Sequence, residues 1–312
     1  MAHARPFRFG LQTHTAGSGE EWAALARKVE DLGYSTMFLP DHFGDQLAPI
    51  PALAAAAAAT TDLRVGALVM DNDYKHPVVM AKELATIDVL SGGRLEAGLG
   101  AGWMLSDYEQ SGIPYDKPSV RVDRFEEGLA IIKGLFGPDP VTFEGKHYRI
   151  TGMNGLPKPI QQPTPPILIG GGLKRMLTIA GKHADIIGIN PTIPNGAVDA
   201  DAARSGLADL TDQKLTWVRD AAGDRYAEVE INLLNYLCLV TDDRQKVAEE
   251  YSGLFGISPA DLLEFPHALV GTVDEICEGL EARRERWDAS YIVIQHDAME
   301  TMAPVVARMS GA

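Results

Sequence analysis

Residues 80–103, MAKELATIDVLSGGRLEAGLGAGW, contain one repeat of the unit from which the fold is built. Apolar positions recur at helical spacing from Met80 to Ile87, and Ser91-Gly92-Gly93 supplies a stop signal for that helix. The apolar run from Arg94 to Leu99 that follows is typical of a buried strand. A helix followed by a buried strand, repeated along a chain, predicts a parallel sheet with crossover helices.

Runs of this strand type recur on both sides of that stretch, separated by helical patterns. We count eight, at Phe7 to Gln12, Thr36 to Pro40, Leu63 to Val69, Arg94 to Leu99, Pro166 to Gly170, Asp185 to Ile189, Glu228 to Val240 and Ser290 to Gln295. Eight repeats predict an α/β fold, a single (β/α)8 barrel over residues 1–312 with loop insertions. We interpret residues 138–165 as a hairpin excursion and residues 191–224 as a candidate lid. The spacing of Ser18 with Glu21 and of Thr272 with Glu275 predicts two helix capping boxes.

The charge of the chain restricts its partners. Its 43 acidic residues outnumber 28 basic ones, for a formal charge of −15, and such a surface repels nucleic acid and anionic membranes. We therefore expect a small-molecule substrate, with neither nucleic acid nor a membrane as partner. The N-terminus lacks the apolar core of a secretory signal, and no run reaches the roughly 18 apolar residues of a membrane span, which predicts a cytoplasmic protein. Cys238 and Cys277 match neither a zinc nor a disulfide pattern and are expected to be buried free thiols.

In a barrel of this type the loops that follow the strands build the active site. Polar residues follow several of the predicted strands: His14, Asp41-His42-Phe43, the stretch from Met70 to His76, and Asn190. His42 is the candidate acid or base, although a lone histidine is often structural. Asp41 is expected not to orient it, because neighbouring residues of a strand point to opposite sides. The histidines have no metal-ligand spacing, so we predict no metal site.

Two glycine-rich turns complete the candidate site. Gly98-Leu99-Gly100-Ala101-Gly102-Trp103 either lets the backbone approach a planar cofactor ring or forms a tight strand-to-loop turn. Gly170-Gly171-Gly172-Leu173-Lys174-Arg175 leads from a strand into a helix, so that free amides, the positive helix end and two cations meet. This second turn predicts an anion site, the alternative being a plain glycine turn before a solvated helix start.

These residues together resemble the luciferase-like monooxygenase superfamily, whose members are α/β barrels that use a flavin or the deazaflavin coenzyme F420. The resemblance covers nearly the whole chain and rests on Ala26 to Tyr34, Pro40 to Phe43, His76 to Lys82, Leu90 to Leu95, Gly98 to Trp103, Gly170 to Gly172, His183 to Asp185 and Gly271 to Glu275. Within the superfamily, Asn72 to Pro77, Gly102-Trp103 and Ser106 to Glu109 look most like a group of actinobacterial oxidoreductases that use coenzyme F420.

The resemblance implies hydride transfer between coenzyme F420 and an unidentified small organic substrate, in a protein expected to be a homodimer. The catalytic residues it implies are His42 and Trp103, and His14, Asn72 and Tyr108 are expected in the substrate pocket. The expected cofactor contacts are Asp41, Leu68, Val69, Met70, Gly100, Ala101, Gly102, Gly170, Gly171, Gly172, Lys174, Arg175 and Asn190, with relatives carrying a non-prolyl cis peptide at the position of Leu68-Val69 and binding the cofactor phosphate near Gly171 and Gly172.

One residue departs from a branch of the superfamily. Its sugar-phosphate dehydrogenases have a glutamate acid after the glycine bulge, where this chain has Trp103. We therefore do not carry that substrate over. The indole is expected to exclude water and stack on a ring, which leaves His42 as the proton partner.

Two other functions fit the same residues. One is an FMN-dependent monooxygenase that uses reduced flavin and O2, and aerobic oxygen uptake distinguishes it from a deazaflavin enzyme, because a deazaflavin is confined to hydride transfer. The other is a barrel that binds flavin without catalysis, a function favoured only if substitution of His42 and Trp103 leaves turnover unchanged.

Overall fold

A computed structural model of the chain describes residues 5–193 and 195–312. Met1–Ala4, part of the predicted non-secretory N-terminus, and Pro194, part of the candidate lid, lie outside the described residues. The strands are β1 (Arg8–Gln12), β2 (Thr36–Leu39), β3 (Arg64–Ala67), β4 (Met70–Asp71), β5 (Leu95–Gly100), β6 (Val141–Glu144), β7 (Arg149–Met153), β8 (Ile167–Gly171), β9 (Ile186–Ile189), β10 (Glu230–Leu234), β11 (Leu237–Val240), β12 (Ala268–Gly271) and β13 (Ala289–Gln295). The helices are α1 (Gly19–Asp31), α2 (Pro49–Ala59), α3 (Pro77–Leu90), α4 (Leu105–Ser111), α5 (Pro118–Phe136), α6 (Lys174–His183), α7 (Ala200–Ser205), α8 (Ala208–Ala222), α9 (Arg244–Phe255), α10 (Pro259–Leu263), α11 (Val273–Trp287) and α12 (Ala303–Met309).

The predicted fold class is confirmed: the chain is a (β/α)8 barrel. In the described part of the chain the main sheet runs β3-β2-β1-β13-β10-β9-β8-β5-β4, and β3 also pairs with β5. The pairs whose register is resolved in this sheet are parallel, as crossover helices require. No helix among the described residues is both long and apolar enough to cross a bilayer.

The chain divides into two compact units. The first contains the chain up to Thr13, Lys28–Thr36 and Gly170–Ala312. Within it β1 pairs with β13, with Gly10 opposite Val293, and β10 pairs with β9. Strands β11 and β12 form a small separate parallel pair, which lies with α9 and α10 over their own apolar cluster of Leu237, Ala248, Leu262, Phe265 and Ala268.

The second unit contains His14–Arg27 and Met37–Ile169. Its excursion is the predicted hairpin, since β6 and β7 pair antiparallel. The end of this excursion is hydrogen-bonded to α3 through the buried carboxylate of Asp88. Oδ2 of Asp88 accepts from the amides of Ile160 at 2.7 Å and Gln161 at 3.0 Å, and Oδ1 accepts from Gln161 Nε2 at 2.6 Å. A fully buried carboxylate with three donors fixes where the excursion ends.

One predicted strand is wrong. The run from Glu228 to Val240 was expected to be a single strand, but it breaks after Leu234 and continues as β11, which pairs with β12. Asn235 Nδ2 donates to the carbonyls of Leu233 and Val293, and the Tyr236 amide donates to His267, so the backbone changes partners at this point. An apolar run does not reveal such a change, because both halves carry the same residue types.

The structure also describes the predicted helix caps, the two cysteines and the candidate lid. The capping box of Thr272 and Glu275 is complete. In the other predicted box Ser18 accepts from the Glu21 amide, but the Glu21 carboxylate accepts from the amide of Gly17 instead of Ser18. Both cysteines are free and buried, as predicted. Within the candidate lid, α8 packs closely on α6, where a Cβ at Gly181 would lie 2.9 Å from the Val218 carbonyl. The hypothesis that residues 191–224 form a lid stays a prediction.

We predict that Asp88→Ala lowers the free energy of unfolding by about 1.5–3 kcal/mol, because the backbone amides of Ile160 and Gln161 lose a charged acceptor. Urea unfolding followed by circular dichroism measures the change. Asp139→Ala, the same substitution at an exposed position, is the control and should change stability by less than about 0.5 kcal/mol. Equal effects of the two substitutions would contradict the assigned role of Asp88.

Candidate active site

The site centres on a histidine after β2 and a carboxylate on α4. His42 Nδ1 lies 2.6 Å from Asp107 Oδ2, and the side chains are 21% and 6% exposed, respectively. Gln46 Nε2 holds the backbone of the loop by donating to the carbonyls of Pro40 and His42 at 3.0 and 2.9 Å. Nε2 of His42 has no hydrogen-bond partner among residues 5–193 and 195–312. One ring nitrogen is thus committed to the protein and the other is open.

Trp103 stands beside this imidazole. The two rings meet edge to face, with centroids 5.4 Å apart and planes at 88°. Gly102 has a φ of +75°, a conformation that turns the chain sharply ahead of the indole. The hydroxyl of Tyr115 donates to the Trp103 carbonyl at 3.1 Å and fixes the turn from the other side. An apolar wall therefore flanks the imidazole.

Two further donors meet Asp107. The hydroxyl of Tyr74 donates to Oδ2 at 3.0 Å, and the amide of Phe43 donates to Oδ1 at 3.3 Å. The rings of Phe43 and Tyr74 pack together with centroids 4.5 Å apart. Burial, followed by the charges of Asp71 and Asp107, raises the pKa of the Tyr74 phenol far above its usual value. The phenol keeps its proton and acts as a donor.

A cluster of buried carboxylates lies behind this pair. The amide of Asp71 donates to Asp41 Oδ2 at 3.1 Å, and the Tyr108 hydroxyl lies 3.1 and 3.2 Å from Asp71 and Asp73. Arg124 donates to Asp73 Oδ1 at 2.8 Å. Burial is the largest cause of raised pKa values for Asp41, Asp71 and Asp73, and it brings the pKa of Asp71 to about 7. Asp71 therefore exchanges a proton near neutral pH.

The backbone next to the cluster has the features that the resemblance implied. The peptide between Leu68 and Val69 is cis, which confirms that expectation. A Cβ at Gly100 would lie 2.5 Å from Val69 Cγ2, and one at Gly102 would lie 1.9 Å from the Tyr108 hydroxyl. The space a side chain would take is filled by the protein itself, so the tight-turn interpretation accounts for these glycines. Their contact with a cofactor stays a prediction.

The second glycine-rich turn, in the other unit, has the donor arrangement of an anion site. Strand β8 ends at Gly171 and α6 begins at Lys174. Leu173, the N-cap residue, provides no side-chain acceptor for the first-turn amides of α6, and Lys174 and Arg175 are exposed there. Backbone amides at a helix start without a side-chain cap, next to two cations, are the groups that a phosphate prefers.

A buried lysine supports this turn. Lys214 is 3% exposed, and its Nζ donates to the carbonyls of Asn190 and Ser205, both at 2.7 Å. The amide of Asn190 in turn donates to the Gly171 carbonyl at 3.0 Å. Burial lowers the pKa of Lys214 to about 8. Sequence reasoning missed this residue, because nothing in its helical context marks a lysine that points inward.

The family model described as luciferase-like monooxygenase matches residues 1–303. The chain belongs to this family. An F420-dependent glucose-6-phosphate dehydrogenase of Nakamurella multipartita is 30% identical over 301 residues, which cover 91% of this luciferase-like chain and 84% of that protein. An FMNH2-dependent dimethylsulfone monooxygenase of Pseudomonas putida is 34% identical over 131 residues, but these span only 42% of this chain and 36% of that protein.

The fold is also that of a solved structure. The coenzyme F420-dependent tetrahydromethanopterin reductase of Methanopyrus kandleri superposes with a TM-score of 0.77 over 98% of this chain and 99% of that one. Its sequence identity is 18%, so the likeness concerns the fold alone.

The three residues predicted for the substrate pocket of this luciferase-like chain differ in their exposure to solvent. His14 is exposed. Asn72 is 3% exposed and its Nδ2 donates to the Tyr148 hydroxyl at 3.2 Å, while Tyr108 is 1% exposed and bonded to Asp71 and Asp73. Two of the three side chains are thus buried and have protein partners. Their contact with a substrate stays a prediction.

Sequence reasoning did not assign roles to the residues that organise the site: Asp107, Tyr74, Asp71 and Arg124. Asp71 and Tyr74 lie in the stretch after β4 that was singled out, and Asp107 lies in the Ser106 to Glu109 motif of the resemblance. No spacing rule links Asp107 to His42, because 65 residues separate them. In the described part of the chain no group of three or more His, Cys, Asp or Glu side chains is arranged to hold a metal ion.

We predict that Asp71→Asn flattens the pH dependence of stability. Because the folded-state pKa of about 7 lies above the usual 3.8, the folded protein holds a proton here that the unfolded chain has lost. This group therefore makes the free energy of unfolding fall as the pH rises from about 4 to 7. The neutral amide removes that contribution. Urea unfolding at several pH values measures it, and parallel curves for the two proteins would refute it. Asp139→Asn, at the exposed position, should follow the unsubstituted protein.

Proposed function

We propose that this protein is an F420-dependent oxidoreductase that transfers a hydride between the deazaflavin and a small organic substrate. The observation that carries the proposal is the His42 and Asp107 pair, which leaves Nε2 of a half-buried imidazole open beside Trp103. The match to an F420-dependent dehydrogenase over 91% of the chain supports it. A homodimeric state and a cytoplasmic location stay predictions.

The residues that would hold the cofactor phosphate are those of the glycine-rich turn. Gly170, Gly171 and Gly172 lead into the uncapped first turn of α6, where Lys174 and Arg175 add positive charge. A net charge of −15 makes such a local site necessary for an anionic cofactor. Asn190 supports the turn through its bond to Gly171. Asp41, the Leu68 to Met70 segment and Gly100 to Gly102 are proposed to face the ring.

Bound coenzyme F420 supplies or accepts the hydride and, as a deazaflavin, does not support oxygen chemistry. The protein moves the accompanying proton. In the oxidising direction the open Nε2 of His42 takes the proton of a substrate hydroxyl, and in the reducing direction the imidazolium returns a proton to the carbonyl oxygen. Trp103 shields the imidazole from water on one side.

We predict that the protein binds coenzyme F420 with a roughly micromolar or lower Kd and binds FMN at least about tenfold more weakly. Quenching of cofactor fluorescence, with both cofactors titrated in parallel, measures the two affinities. The reverse preference, together with oxygen uptake in the presence of reduced FMN, would overturn the proposal in favour of the FMN-dependent monooxygenase.

We predict that Lys174→Ala raises the Kd for coenzyme F420 about fivefold, since a cation next to a phosphate contributes on the order of 1 kcal/mol. Turnover of the bound complex should change less than about twofold, because Lys174 is assigned to binding alone. Lys182→Ala removes the same charge from the last turn of α6 and is the matched control. Equal Kd values for the two variants would move the phosphate site elsewhere.

A further inference from the structure

The Asp107 carboxylate contacts groups from two loops, those that follow β2 and β4. Its carboxylate meets the His42 imidazole, the Tyr74 hydroxyl and the Phe43 amide, and its side chain is only 6% exposed. The Phe43 amide can only donate. Tyr74 also donates, because its buried phenol holds its proton. Two of the three groups bonded to the Asp107 carboxylate are thus donors, and a carboxylate bonded in this way is an acceptor.

The position of the proton in the short contact between His42 and Asp107 follows from these donors. Tyr74 and His42 meet the same oxygen, Oδ2, at 3.0 and 2.6 Å. Because Tyr74 donates to Oδ2 and the Phe43 amide donates to Oδ1, both oxygens of the carboxylate serve as acceptors and the shared hydrogen lies on the ring. Nδ1 therefore carries the hydrogen. In the neutral ring Nε2 is then the unprotonated nitrogen, and the same nitrogen is the one left open.

We infer that Asp107, supported by Tyr74, is a positioning residue that fixes His42 in the Nδ1-protonated tautomer and so makes Nε2 the atom that exchanges a proton with substrate. The step it serves rests on the proposed function. It is balanced: as a C–H bond of the substrate gives a hydride to the deazaflavin, the substrate O–H proton passes to Nε2 and a C=O bond forms. Asp107 stays ionised and stabilises the imidazolium that results.

The Asp107→Asn variant tests the tautomer. An amide can present its NH2 group to Nδ1 and so favour the opposite tautomer, with the hydrogen on Nε2. Tyr74→Phe removes one donor but leaves the carboxylate, and should retain the native tautomer. Asp45→Asn, in the same loop as His42 and exposed, is the matched control for the loss of a carboxylate.

The readout that needs neither cofactor nor substrate is the ¹⁵N spectrum of protein labelled at histidine, at a pH where the imidazole is neutral. His42→Gln identifies the signals of His42. We expect protonated Nδ1 and unprotonated Nε2 in the unsubstituted protein, Tyr74→Phe and Asp45→Asn, and the reverse in Asp107→Asn. Unprotonated Nδ1 in the unsubstituted protein overturns the inference, even if Asp107→Asn does not fold. A native tautomer in folded Asp107→Asn overturns it too.

Kinetics give the second readout. Once a substrate has been found by screening with coenzyme F420, we expect Asp107→Asn to lower kcat by about 100-fold or more while KM changes less than about threefold. A fall in kcat accompanied by an equally large rise in KM would indicate a merely structural role. If the tautomers are as expected but no F420-dependent turnover exists, the proposed function fails and the assignment of the His42 proton stands.

Discussion

The close packing of neighbouring atoms against the glycine backbone in β5 and in the turn after it is the constraint on which the site depends. A Cβ at Gly98 would lie 1.8 Å from the Ala67 carbonyl, and one at Gly102 would meet the Tyr108 hydroxyl and the Asp71 carboxylate. No side chain fits at either position without displacing the neighbouring strand or the hydrogen bond between Tyr108 and Asp71. These glycines let β3 and β5 pair, and they let the chain turn so that Trp103 comes beside His42.

Next to this close packing lies a group of buried carboxylates. Asp71 and Asp73 share the Tyr108 hydroxyl, and Asp73 also forms an ion pair with Arg124. Burial without a matching cation disfavours the charged form, which is why the pKa of Asp71 rises to about 7. Asp107 instead contacts the Tyr74 hydroxyl, the Phe43 amide and the His42 imidazole. The same residue type thus serves as a proton holder at one position and as an acceptor at another.

The sequence predicted those parts of the molecule that repeat or that lie next to a strand. The eight apolar runs and their glycine stops identified the barrel, and the polar residues after the second and third predicted strands identified His42 and the stretch around Asp71. It failed where the outcome depends on a partner far along the chain. Asn235 divides β10 from β11 by bonding to Val293, and Asp107 acquires its role only because α4 carries it to His42. Periodicity within a segment carries no information about either contact.

Trp103 adds no titratable group beside His42, which limits the proton chemistry that the proposed reaction can use. With an indole at that position, the open acid or base assigned to this site is His42, and its Nδ1 is already committed to Asp107. In the proposed reaction, one nitrogen exchanges one proton for each hydride transferred. This balance suits the interconversion of an alcohol with a carbonyl compound, or of an amine with an imine, in which one hydride and one proton move together. It does not suit a reaction that requires a second acid on the opposite side of the substrate, such as protonation of a leaving group while another group is deprotonated.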